Sequence, residues 1–155
     1  MADIWILIAD RARARLFSLS KGASRMLEIA DFVSPEARTP GHELERAPPP
    51  RVHDRLGDAR HTIEAHTSPR EKAAFQFAGI LAAYLKRARD QQRYRDLVLI
   101  APPRFLGALN AALGARLSET VLLRISKNLT RSPAAAIRAV LPRTLFQHHS
   151  VATSP

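Results

Sequence analysis

Leu97-Val98-Leu99-Ile100-Ala101 runs directly into Pro102-Pro103, and Arg104-Phe105-Leu106-Gly107-Ala108-Leu109 follows at once. Four branched or apolar residues with no polar alternation need cover on both faces, the mark of a sheet sandwiched between helices. Proline cannot continue a strand ladder, but it suits the first turn of a helix, where its missing N–H would have no partner anyway. A buried strand that stops at two prolines and yields to a helix places the chain in the α/β class.

The same logic organises the rest. Ile4 to Ala9 is an uninterrupted apolar run and reads as a second strand covered on both sides. Asp10-Arg11-Ala12 turns the chain into a strand over Arg13 to Leu19, and Lys21-Gly22-Ala23-Ser24 turns it again into a strand over Arg25 to Val33, an antiparallel meander. Residues 34–68 then break every period with Pro35, Pro40, Gly41, Pro48-Pro49-Pro50 and Gly57. A connection of that length is uncommon in a compact domain unless it is functional or disordered, and the three prolines favour a local polyproline conformation. Ser68-Pro69-Arg70-Glu71 starts a helix with a capping serine, proline at the first position and a glutamate placed to return a hydrogen bond. Ala74, Phe77, Ala78, Leu81, Leu85 and Ala88 mark its core face, with Lys72, Gln76, Lys86, Arg89 and Arg93 on the outer side. A helix from Pro103 to Leu113 ending at Gly114, a strand over Val121 to Ile125, and a helix over Ala134 to Leu141 capped by Ser132 complete the order. The expectation is a mixed sheet with helices on both faces, one α/β domain over residues 1–142, and a flexible tail over 143–155.

Composition narrows the function. At 155 residues the chain supports one domain with a real core. No run reaches the ~18 apolar residues of a membrane span, and Asp3 precedes the first apolar stretch where a secretory signal carries basic residues, so membrane insertion is not expected and the location expected is cytoplasmic. The absence of cysteine excludes disulfides, thiolate metal sites and a cysteine nucleophile. The net charge is +10, and its excess lies on the second half: residues 97–155 carry seven basic side chains against one acidic. That asymmetry points to a polyanionic partner such as RNA, DNA or an anionic surface.

Trp5-Ile6-Leu7-Ile8-Ala9-Asp10, Arg13-Ala14-Arg15-Leu16-Phe17, Pro35-Glu36-Ala37-Arg38, Asp54-Arg55-Leu56-Gly57, Phe77-Ala78 and the Ala101-Pro102-Pro103 junction resemble, in order and spacing, the bacterial host-attachment protein family. The resemblance runs from about Asp3 to Pro142. It implies the fold of the middle domain of eukaryotic and archaeal peptide chain release factors, a ribonuclease H-like motif. In those factors a Gly-Gly-Gln tripeptide before the long helix carries peptidyl-tRNA hydrolysis. The matching stretch here, Gly57 to Arg70, holds a single glycine and no glutamine, so peptide release by that route is not expected. The resemblance also implies arginine and aspartate where Asn110 and Asn128 stand.

The candidate site residues fall in two groups. Arg51, Arg55 and Arg60 in the long connection, with Lys86, Arg89 and Arg93 on the helix, would meet phosphate through forked or point-charge donors. Arg38, His53, Asp54, Gly57, His61 and His66 form the motif-bearing stretch, which would supply a hydrolase with imidazole and carboxylate groups. No helical pair of histidines with a following carboxylate is present, so no metal and no cofactor are expected. The reading favoured is a non-catalytic RNA- or ribosome-associated factor. The alternatives are a hydrolase built on those histidines and carboxylates, and a protein-interaction module docking a protein partner on Pro48 to Pro50.

Overall fold

In the computed structural model, residues 3–20, 25–38 and 68–146 are described. Five strands form one sheet: β1 (Ile4–Ala9), β2 (Arg13–Leu19), β3 (Met26–Val33), β4 (Asp96–Ile100) and β5 (Val121–Ile125). Their spatial order is β3-β2-β1-β4-β5. The meander is antiparallel, with Ile6 opposite Phe17 and Leu16 opposite Ala30, and a bulge interrupts β3 after Phe17 meets Glu28. β1 pairs with β4 in parallel, Ile6 opposite Val98, and β4 pairs with β5 in parallel. Three helices complete the domain: α1 (Pro69–Asp90), α2 (Pro103–Ser118) and α3 (Ala134–Ala139).

Both faces of the central strands are covered, as their unbroken apolar runs require. Trp5, Leu7, Leu97 and Leu99 point into one core with Phe77, Leu81 and Leu85 of α1 and Phe105, Leu109 and Leu113 of α2. Ile4, Ile6, Ile8, Val98 and Ile100 point into the other, closed by Ile137 of α3 and by Leu141 and Leu145. Each fully buried Phe or Leu contributes roughly 1.5–3 kcal/mol. Trp5 is 2 % exposed and stacks on Tyr94 at 4.6 Å between ring centroids, so it is a core residue. Burial pushes the Tyr94 hydroxyl up to about 12, and it donates to the Leu85 carbonyl at 2.8 Å.

The helix ends repay attention because they decide where side chains point. Ser68 and Glu71 form the expected reciprocal cap of α1: the Ser68 Oγ accepts from the Glu71 amide, and Glu71 reaches back to the Ser68 amide. At the other end α1 stops at Asp90, before Arg93. Gln92 takes a left-handed φ of 59°, and the amides of Gln92 and Arg93 donate to the carbonyls of Arg89 and Ala88. This is a Schellman closure made without glycine, which is why the helical pattern runs on through Arg93 in the sequence. Gly114 breaks α2 at φ 80°, ψ 170°, after which the chain takes one more turn to Ser118. Ser132 does not cap α3; Pro133 holds that position with no side-chain bond, and Ser132 gives its carbonyl to Arg15 instead. Residues 143–146, expected in the tail, form a further helical turn with Leu145 buried.

The two left-handed positions give opposite expectations. Gly114→Ala lowers stability by about 1–3 kcal/mol, since its backbone region is nearly closed to other residues. Gln92→Gly raises stability by about 0.5 kcal/mol, the relief of a left-handed side chain less the added freedom of the unfolded chain. Urea melts of the two variants check both signs.

Candidate functional site

Three parallel strands that share a direction also share a carboxyl edge, and ligands of open α/β sheets bind there. Asp10 follows β1, Pro102 follows β4, Asn128 lies beyond β5, and α1 and α2 begin at the same edge. Between them opens a cleft of about 690 Å³ whose wall includes Asp10, Arg11, Arg70, Glu71, Phe75, Arg104, Phe105 and Asn128. Its floor is apolar: Phe105 is buried and lies 5.9 Å from Phe77, ring to ring. At the rim Arg104 approaches Glu71 at 3.7 Å, an exposed pair that contributes little to stability.

The β1 end of the cleft is rigid. Oδ1 of Asp10 accepts from the amides of Ala12 and Arg13 at 2.8 and 2.9 Å, which closes the turn between β1 and β2. Oδ2 accepts from the buried Thr130 hydroxyl at 2.8 Å. Asn128 Oδ1 lies 3.0 Å from that hydroxyl and 3.3 Å from the Thr130 amide. The hydroxyl has one proton, and the carboxylate is the stronger acceptor for it. Asp10 is therefore a structural anchor with both oxygens engaged.

Arg15 holds the same stretch from the side. Its Nε and Nη2 donate to the two carboxylate oxygens of Glu28, each at 3.0 Å, while Nη1 donates to the carbonyls of Thr130 and Ser132 at 3.3 and 2.6 Å. The hydrogen bond to Glu28 raises the Arg15 guanidinium and lowers the Glu28 carboxyl from their ordinary values. Asn110, on α2, accepts from Arg124 Nε at 2.8 Å and so braces the exposed side of β5.

Of the residues singled out from sequence, Lys86 and Arg89 come together, and Arg116 joins them around a smaller cleft of about 210 Å³ that also includes Asp90 and Thr120. The Nε of Arg89 is buried there with no hydrogen-bond partner. Arg93 sits apart, its guanidinium 5.2 Å over the Trp5 ring. Arg38 closes a 3-10 turn over Pro35–Arg38. Arg51, His53, Asp54, Arg55, Gly57, Arg60, His61 and His66, and with them Pro48 to Pro50, lie outside the described residues. Among the described residues no group of three or more His, Asp or Glu could hold a metal ion, and no helix is long and apolar enough to cross a membrane. The cleft residues Arg11, Arg70, Phe75 and Arg104 were not legible as a set; the signal was the strand ends themselves, marked by Asp10 and Pro102-Pro103, which parallel pairing brings to one edge.

The sequence profile of one protein family, described as protein required for attachment to host cells, matches residues 5–141. The chain belongs to that family. No curated protein matches the chain. Among solved structures, a chain titled only as an archaeal protein is similar over 96% of this chain at 14% identity and a TM-score of 0.50. The archaeal translation termination factor aRF1 is similar over 97% at 13% identity and a TM-score of 0.46. This member of the attachment family spans 35% and 38% of those two chains, and the first likeness shows a shared fold alone. The α/β class and the mixed sheet with helices on both faces stand as expected.

Because the folded Glu28 carboxyl lies below its unfolded value of about 4.3, its stabilising effect is full above that pH and is lost as pH falls through the folded value. Glu28→Gln removes that part of the acid limb and costs about 1 kcal/mol at neutral pH, where the pair is partly exposed. Thermal melts between pH 3 and pH 7 read both effects.

Proposed function

We propose that this attachment-family protein is a non-catalytic, cytoplasmic factor that associates with RNA or the ribosome, taking phosphate groups into the cleft at the carboxyl edge of its sheet. The observation that carries the reading is the convergence of three arginines, Arg11, Arg70 and Arg104, on the N-terminal ends of two helices. The arginines outnumber the lining carboxylates, Asp10 and Glu71, by one, and each helix terminus adds about half a positive charge. α2 carries no side-chain cap, which leaves the Arg104 and Phe105 amides as donors for an oxyanion.

Three further points support the reading. Both oxygens of the carboxylate at the end of β1 already accept hydrogen bonds that hold the turn and Thr130, which fits a structural role for it. The net charge of +10 favours encounter with a polyanion over any other class of partner. Lys86, Arg89 and Arg116 provide a second basic cleft for backbone phosphates at the far end of α1. A link to attachment would then be indirect, through expression of other proteins.

Binding of this kind weakens linearly in log–log with salt, by about 0.7 per phosphate on single strands and about 0.9 on duplex. Co-sedimentation with ribosomes at low salt and RNA binding across a salt series test the proposal. The expected slope falls by about 1–2 when Arg11 and Arg104 are replaced together by glutamine, as two phosphate partners are lost. A protein that runs free of ribosomes at low salt and binds no RNA contradicts it.

A further inference from the structure

Phe75 is the one aromatic residue in the exposed class among the described residues, at 55 % exposure, and it stands on the wall of the arginine-lined cleft. Every other described ring is committed. Trp5 stacks with Tyr84 and Tyr94 while Phe32 meets Tyr84 edge-on, Phe77 and Phe105 pack together under the cleft, Phe17 lies beneath Arg15, and Phe146 beneath Arg138. Phe75 is the outlier in a fold that buries its rings, and it follows Ala74 on the helix face nearest the strand ends.

Burial alone does not account for it. Leaving a phenylalanine in water forgoes roughly 1.5–3 kcal/mol of transfer free energy, and a polar residue would serve an exposed helix position as well. A flat apolar ring beside several guanidinium groups is the arrangement with which proteins hold unpaired nucleotides: the base stacks on the ring while the arginines take the adjoining phosphates. A pair in the interior of a duplex cannot do this, because both of its faces are already stacked, and only the two end pairs of a duplex offer a free face. A cleft of about 690 Å³ also has the volume of a small-ligand site, on the scale of a single nucleotide rather than of a duplex.

We infer that the cleft is a subsite for an unpaired nucleotide of single-stranded RNA, its base stacked on Phe75 and its phosphates held by Arg11 and Arg104. This rests on the RNA-binding reading above and sharpens it from phosphate docking to strand selectivity. Phe75 supplies affinity without sequence preference, since every base presents a π-face. The arginines supply the salt dependence, and the two contributions separate by mutation.

The test is fluorescence anisotropy at fixed low salt, using a labelled unstructured 12-nucleotide RNA and a blunt RNA duplex of the same length. Wild type, Phe75→Ala, Phe75→Tyr and the Arg11→Gln/Arg104→Gln double variant are compared. An exposed ring can be truncated without touching the core, and thermal melts confirm that each variant is folded. The expected result is tighter binding of the single strand than the duplex, a loss of about 5- to 100-fold on the single strand for Phe75→Ala, and retention by Phe75→Tyr, which keeps the ring. Duplex affinity is expected to stay within about twofold in Phe75→Ala. If Phe75→Ala binds the single strand as well as wild type while the double arginine variant weakens both RNAs, stacking is overturned and phosphate docking stands. If neither RNA binds wild type, both readings fall.

Discussion

The parallel pairing of β1 with β4 is the constraint on which the remainder of the molecule depends. Ile4 to Ile8 lie opposite Asp96 to Ile100, with both faces of both strands buried. A parallel pair cannot be closed by a short turn, so the chain between them must cross over, and here it does so through the meander and α1. Covering both faces then requires α1 and α2 on one side and α3 with residues 143–146 on the other. The same alignment places the end of β1, the end of β4 and the starts of two helices at one edge, so the cleft is a by-product of how the core is closed.

What keeps that edge open is a polar frame. Asp10, Thr130 and Asn128 tie the turn after β1 to the segment after β5, while Arg15 fastens the same segment to β3 through Glu28. Thr130 is the buried member of the frame, and its hydroxyl left without a partner would cost about 1–3 kcal/mol, while the half-exposed Asp10 and exposed Glu28 contribute less. Arg11, Arg70, Arg104 and Phe75 line the cleft beside this frame.

Local signals made the elements readable. The unbroken run Ile4 to Ala9 and the junction at Ala101-Pro102-Pro103 declare strands covered on both faces, and Ser68, Pro69 and Glu71 declare a helix start through their own hydrogen bonds. The sequence pattern carries Arg93 onto α1 because the closure after Asp90 turns on Gln92, a left-handed residue with no glycine to announce it. Ser132 resembled a cap because it precedes proline, yet its carbonyl is taken by an arginine more than a hundred residues earlier. The cleft was illegible for the same reason: Arg11, Arg70 and Arg104 are distant in the chain, and only the strand register brings them together. The motif-bearing arginines and histidines from Arg51 to His66 lie outside the described residues, and the hydrolase and protein-docking readings rest on them alone.

We propose the carboxyl edge of the parallel strands as the place where this protein meets a polyanionic ligand. Amide chemical shifts of the isotope-labelled protein, followed while a short single-stranded RNA is added, test that claim most directly. The perturbed amides are expected to concentrate at residues 10–12, 70–75, 104–105 and 128. Perturbations confined to the other end of the sheet around Lys86, Arg89 and Arg116, with the carboxyl edge unmoved, would contradict it.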